Sequence, residues 1–291
     1  MNKRRGVVLA AFAAALLSAC TSSPSHSSGA RETKPTKVIP GPASLIAGTA
    51  PQLNGDLWVL AGTLGNRTLH QLDLTTDTFG PALPATGSAT SLTQSSSTLL
   101  GLGLASPLTG AVEFVNGATG ATISTVAVSG PVREVTAGSD GSTFYALDGS
   151  SVSATVDAVS SITNTVKSVI PVPGDTVSIA VDPDQQRIYA LESDGDVSIV
   201  SLLGKVLSRF PVGSNPITLA LSGDGDTMYV LKGTASGTEN VGVFDVSLES
   251  ETKAIPAPTG TTDIAVSSDG ATLYAFVGTP SVGNVQLFST G

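Results

Sequence analysis

The 291-residue chain carries 14 Lys and Arg against 23 Asp and Glu, a net charge of −9, and 41% of its residues are hydrophobic. An acidic chain of this balance is a poor partner for nucleic acid and for direct adhesion to anionic lipid. One Cys and two His allow no internal disulfide and leave a His or thiolate zinc or copper site short of ligands.

The chain opens with Lys3, Arg4 and Arg5, followed by an apolar stretch at residues 6–17 that is too short to span a bilayer. Leu17-Ser18-Ala19-Cys20 then resembles a bacterial lipobox. The expectation is a signal peptide over 1–19, cleaved so that Cys20 carries a diacylglyceryl group, whose two acyl chains suffice for stable anchoring. That places the protein at the cell membrane, lipid-anchored, on the extracytoplasmic face. An ordinary secretory signal with a chance Cys is the alternative. Arg4-Arg5-Gly6-Val7-Val8 is weakly similar to a twin-arginine signal and leaves the export route open. Removing Lys3, Arg4 and Arg5 leaves 11 cations against 23 anions, a mature charge of −12. Residues 20–35 are Ser/Thr/Pro-rich and nearly free of apolar side chains, so they read as a flexible tether.

Residues 36–291 read as one all-β domain. A strand-turn-strand pattern recurs, with starts near Ala43, Gly87, Pro131, Asp175, Asn215 and Thr261. Its strand ends repeat as Val38-Ile39-Pro40-Gly41, Val169-Ile170-Pro171-Val172, Arg209-Phe210-Pro211-Val212 and Ala254-Ile255-Pro256-Ala257. The first copy precedes any full repeat, and the last unit, 261–291, ends before its own copy. Such a chain can close into a ring, with residues 36–39 supplying the missing strand and removing an exposed edge. The pattern predicts a six-bladed β-propeller of four-stranded blades, with seven blades as the alternative. Asp140-Gly141 and Asp269-Gly270 supply tight hairpin turns, with variants at Asp182-Pro183-Asp184 and Gly223-Asp224-Gly225.

After each of these turns stands a Tyr motif: Tyr145-Ala146-Leu147-Asp148, Tyr189-Ala190-Leu191-Glu192, Tyr229-Val230-Leu231-Lys232 and Tyr274-Ala275-Phe276-Val277. Residues 132–288 therefore resemble the YVTN-repeat β-propeller family, although the terminal Asn of the motif is missing and 43–130 match weakly. The resemblance implies a propeller, often of seven blades. It implies little about function, because that family includes binding proteins, metal chaperones and lactonase-like relatives.

His26 stands alone in the tether. His70 aligns with Glu113, Ser198, Gly242 and Gln286 on third strands, which places it on a solvated or half-buried strand face. No Gly-x-Ser-x-Gly elbow accompanies it. The Asp-rich turns lack the spaced ligands of a calcium loop and read as hairpin chemistry, as does Asp194-Gly195-Asp196. One rim of the ring would carry the small polar loops 62–67, 104–110, 148–151, 192–196, 233–240 and 278–284, which suit a flat surface or shallow polar site.

The innermost strands align on Ile46, Leu92, Val135, Ile179, Leu219 and Ile264. The residues just before them are Leu45, Ser91, Glu134, Ser178, Thr218 and Asp263. Glu134 and Asp263 fall in opposed units, so they are expected to face each other across the channel mouth with Ser91, Ser178 and Thr218 between them. Carboxylates and hydroxyls in that setting suit a hydrated cation or a cationic ligand group. The competing reading pairs Glu134 with Arg133 and leaves Asp263 solvating a loop end.

The functional expectation is a non-enzymatic binding or scaffold module for a cell-envelope protein or polymer, without a cofactor and without nucleic acid. The alternatives are a lactonase- or lyase-type propeller enzyme and a cation-binding propeller using the rim carboxylates. The membrane is a partner through the lipid on Cys20, and the oligomeric state is left open.

Overall fold

Short runs of alternating apolar and polar residues, punctuated by Gly and Asp, form 25 antiparallel strands among the described residues of a computed structural model. The structure describes residues 34–291 except 52–54, 97, 151–152, 183, 185 and 234–236. The signal peptide, Cys20, His26 and most of the tether lie outside the described residues, as does Pro183 of the Asp182 turn. No α-helix occurs among the described residues.

Six sheets follow one another along the chain. Strand β1 (Lys37–Gly41) stands apart at the start. Blade 1 comprises β2 (Leu45–Gly48), β3 (Asp56–Thr63), β4 (Asn66–Asp73) and an outer strand in two pieces, β5 (Thr78–Phe79) and β6 (Leu83–Ala85). Blade 2 comprises β7 (Ala89–Gln94), β8 (Leu99–Ala105), β9 (Gly110–Asn116) and β10 (Thr122–Val128). Blade 3 comprises β11 (Val132–Ala137), β12 (Thr143–Ser150), β13 (Ser153–Ser160) and β14 (Thr165–Val172). Blade 4 comprises β15 (Thr176–Asp182), β16 (Arg187–Glu192), β17 (Asp196–Ser201) and β18 (Val206–Pro211). Blade 5 comprises β19 (Pro216–Leu221), β20 (Thr227–Gly233), β21 (Glu239–Asp245) and β22 (Ser250–Ala257). Blade 6 has only β23 (Thr261–Val266), β24 (Thr272–Gly278) and β25 (Gly283–Ser289) of its own, and β1 completes it.

The architecture is thus a six-bladed propeller, and the seven-blade alternative falls away. Each innermost strand touches the innermost strands of both neighbouring blades, and β2 meets β23 where the ring closes. The closing strand runs antiparallel to β25, with Ile39 opposite Val285. It extends to Gly41, past the expected 36–39. Thr36 adds its own N–H and hydroxyl to the Leu287 carbonyl at 2.7 and 3.0 Å.

The recurring Ile-Pro ends are explained by their place on outer strands. Ile39, Ile170, Phe210 and Ile255 point inward and are almost fully buried. Pro40, Pro171, Pro211 and Pro256 follow on the edge, where the absent N–H breaks no ladder bond. Blade 1 carries the same end as Leu83-Pro84, with Leu83 opposite Leu69, after a break in its outer strand between β5 and β6, whereas blade 2 has Val126-Ala127 there, without the Pro.

Hydrophobic clusters fill the six junctions between blades. All four motif tyrosines are buried in them. Packing is therefore mostly blade against blade, which binds sequence-distant strands into one closed unit.

Every innermost strand carries a β-bulge at the same place. The extra residues are Ile46, Thr90, Arg133, Val177, Ile217 and Thr262. This corrects the alignment of blade 1. The counterpart of Glu134 is Ala47, not Leu45, which is buried in the blade 6–blade 1 junction. The counterpart of Ile179 is Gly48. A Cβ on Gly48 would lie 2.1 Å from the Phe276 ring, so Phe276 of blade 6 occupies the space that Ile179 fills elsewhere.

Candidate functional site

A bulge re-aims the side chains that follow it. Here it turns one ring of residues toward the central channel, namely Ala47, Ser91, Glu134, Ser178, Thr218 and Asp263. All six line a cavity of about 550 Å³ formed by the innermost strands. Glu134 belongs to blade 3 and Asp263 to blade 6, so the two acidic positions are opposed across the ring as expected.

Their immediate bonds run along the seams between blades. Glu134 Oε2 accepts the Ile179 N–H of blade 4 at 2.7 Å. Asp263 Oδ2 accepts the Gly48 N–H of blade 1 at 3.0 Å, and its Oδ1 accepts the Ile264 N–H at 2.9 Å. Ser178 Oγ accepts the Leu219 N–H of blade 5 at 3.2 Å and lies 3.2 Å from Thr218 Oγ1. The same job recurs at three of the six seams, 3–4, 4–5 and 6–1: a channel side chain accepts the backbone N–H of the next blade. Two of the side chains doing it happen to be acids.

The hydroxyls differ from expectation. Ser178 and Thr218 are nearly buried and belong to the seam bonds rather than to open channel wall. Ser91 Oγ is shielded from water, has no hydrogen-bond partner and lies over Gly103. The structure therefore brings Glu134, Ser178, Thr218 and Asp263 into one half-belt and leaves the Ser91 hydroxyl turned into its blade.

Both carboxyls line the channel and are partly exposed, yet lie deep among the surrounding strands. Burial dominates their ionisation and pushes Glu134 up to about 8 and Asp263 up to about 7. The negative charge of Asp263 adds to the rise at Glu134, so the two groups feel each other across the channel. The bonds from Ile179 and Ser178, and the charge of Arg133, work the other way and are outweighed. Arg133 donates from Nη1 to the Thr176 carbonyl at 2.7 Å, bridging to blade 4. Asp263 is not at a solvated loop end; it fastens the seam where the ring closes. Two half-shielded carboxyls that change charge near neutrality can hold a proton, a hydrated cation or an ammonium group, or exchange a proton with a ligand.

The other candidates resolve as local structure. Asp140, Asp224 and Asp269 each accept backbone N–H groups two or three residues ahead, which is turn chemistry. Gly141, Gly225 and Gly270 have the positive φ of such turns. Asp175, Glu192 and Asp194 converge closely enough to hold a metal ion. Arg209 already occupies that neighbourhood, at 2.8 Å from Glu192, 2.6 Å from Asp194 and 3.1 Å from Asp196. His70 is half-buried on β4, as expected, with Nε2 3.1 Å from Thr68 Oγ1 and its ring edge-on to Phe79. Burial lowers its basicity.

Sequence reasoning missed Asp148 and Asp157, which are buried together in blade 3. Burial, and then the charge of Asp157, raise Asp148 to about 6. A single Asp within the otherwise apolar and small run 153–160 was the available signal.

No protein-family model matches the chain, and no curated protein matches it. The YVTN-repeat resemblance therefore rests on its four Tyr motifs. Among solved structures, the chain is similar to a hydrazine synthase chain from Kuenenia stuttgartiensis, with a TM-score of 0.65 at 15% identity. The match covers 85% of this chain and 84% of that one. At this identity it supports the propeller fold alone.

Proposed function

We propose that this chain is a lipid-anchored, extracytoplasmic binding module, held to the membrane through Cys20. Its partner is an envelope protein or polymer that presents a cationic group to the mouth of the central channel. The observation that carries this reading is the opposition of Glu134 and Asp263 across a polar channel wide enough to admit a ligand group. Oxygen donors of this kind favour ammonium groups and hard cations. Capture from detergent-solubilised membranes tests it. The wild-type chain should retain a dominant partner that a Glu134→Gln plus Asp263→Asn variant releases. A partner-free wild-type chain, or equal capture by the variant, rejects the proposal.

A second reading is supported by the position of the two pKa values. Carboxyls that titrate near neutrality suit general acid–base catalysis, as a lactonase- or lyase-type propeller requires. A lactone panel, with and without added divalent metal, tests it. Turnover abolished by Glu134→Gln would favour the enzyme, and no turnover on any substrate would count against it.

A further inference from the structure

We propose a second binding site, in the seam between blades 1 and 2, where Glu113 forms the floor of a cleft for a primary ammonium group. The cleft has a volume of about 240 Å³, the space of roughly eight waters. Its walls include Pro84, Ala85 and Thr86 of blade 1 and Glu113, Val115 and Thr122 of blade 2. Glu113 is only 4% exposed. Its Oε1 accepts the Thr122 hydroxyl, while Oε2 has no hydrogen-bond partner. A buried carboxylate oxygen without a donor is costly, and folded proteins rarely leave one so.

The neighbouring blade shows how the equivalent carboxylate is held there. Glu113 pairs with Leu102 as Asp157 pairs with Ala146, at the same position in the repeat. Asp157 Oδ2 accepts both the N–H and the hydroxyl of Ser129, each at 2.8 Å, while its Oδ1, like Oε2 of Glu113, has no hydrogen-bond partner. Ser129 stands three residues before the start of its blade's innermost strand, and Thr86 holds that place in the preceding repeat. Thr86 lines the cleft. The outer strand of blade 1 is split into β5 and β6, whereas β10, the outer strand of blade 2, runs unbroken over Thr122–Val128. One carboxylate oxygen is thus unpartnered in each blade, and in blade 2 it belongs to a residue that lines a cleft.

An ammonium group matches that space. It supplies N–H donors and a positive charge to Oε2, and the Thr86 and Thr122 hydroxyl oxygens are acceptors for its remaining protons. Pro84, Ala85 and Val115 offer apolar walls to a methylene stem. One carboxylate is too few charged ligands for a calcium-type site, which takes six to eight oxygens.

The test is calorimetric titration of the full chain with n-butylamine at neutral pH. One saturable equivalent that depends on Glu113 is expected, weakened roughly tenfold or more by Glu113→Gln through loss of the charge-assisted bond. Ala85→Leu, which narrows the cleft and leaves Glu113 in place, should weaken it as well and decides the matter if Glu113→Gln fails to fold. Glu134→Gln plus Asp263→Asn should remove only amine held at the channel and leave the Glu113-dependent equivalent in place, which separates the two sites. Carbodiimide coupling of the amine should place the amide on Glu113 in peptide mass spectra. Absence of saturable binding, or binding untouched by both Glu113→Gln and Ala85→Leu, overturns the proposal.

Discussion

At the scale of single residues, the two channel carboxyls make stability depend on pH in a definite direction. Their folded pKa values, about 8 and about 7, lie above the unfolded ones. The native state therefore holds more protons, and stability falls as pH rises from roughly 4 to 8. Asp148, raised to about 6, adds a loss of the same sign. Asp140 is held down to about 2 by its turn hydrogen bonds and acts oppositely, losing stability only as pH falls below about 4. Denaturant unfolding should thus show maximal stability near pH 4–5. Glu134→Gln plus Asp263→Asn should recover about 2–4 kcal/mol at pH 8.5, and little at pH 4.5. A variant no more stable than wild type at pH 8.5 would show that these groups ionise freely.

Glu134 and Asp263 were legible because they precede a regular apolar residue in repeats of clear spacing. Blade 1 was misaligned because its core position is Gly48, and Ile46 imitated the missing apolar residue. The space at Gly48 is filled by Phe276, some 230 residues away in sequence, which no local pattern reveals. Gly48→Ala should cost about 1–3 kcal/mol through overpacking, and Phe276→Leu should relieve part of that cost in the double variant. Additive losses in a double-mutant cycle would mean that the two residues do not share the space. The Ser91 hydroxyl was placed on the correct strand position, yet its rotamer turns it away from the channel, and spacing cannot report a rotamer.

At the scale of elements, the displaced first strand and the broken outer strand of blade 1 set the character of the ring. The number of blades could be read from the six repeat starts, and the origin of the closing strand from the Ile-Pro ends, because one copy leads the chain and the last unit lacks one. The six bulges could not be read, since an extra residue in each strand preserves the repeat length and leaves the periodicity intact. The closing strand is tied in by Ile39, which is 1% exposed in the blade 6–blade 1 cluster. Ile39→Ala should lower stability by about 2–5 kcal/mol, whereas Val38→Ala, on the exposed side of the same strand, should change it by less than about 0.5 kcal/mol. Equal, small effects in chemical denaturation would indicate that β1 is detached in solution.

At the scale of the molecule, the closed ring holds the opposed carboxyls from neighbouring blades, Glu134 through the Ile179 N–H of blade 4 and Asp263 through the Gly48 N–H of blade 1. The lipid expectation belongs here too. Cys20→Ala should yield a precursor or soluble protein without diacylglycerol, read by mass spectrometry and detergent partitioning; lipid on that variant would refute the anchor. The most direct measurement is calorimetric titration of the full chain with calcium and with a diamine at pH 8.5 and pH 5.5. Weak, salt-sensitive binding is predicted at pH 8.5, reduced at pH 5.5 where the carboxyls are protonated, and abolished by Glu134→Gln plus Asp263→Asn. No binding of either cation, or binding that persists in that double variant, would contradict a cation-binding role for the channel.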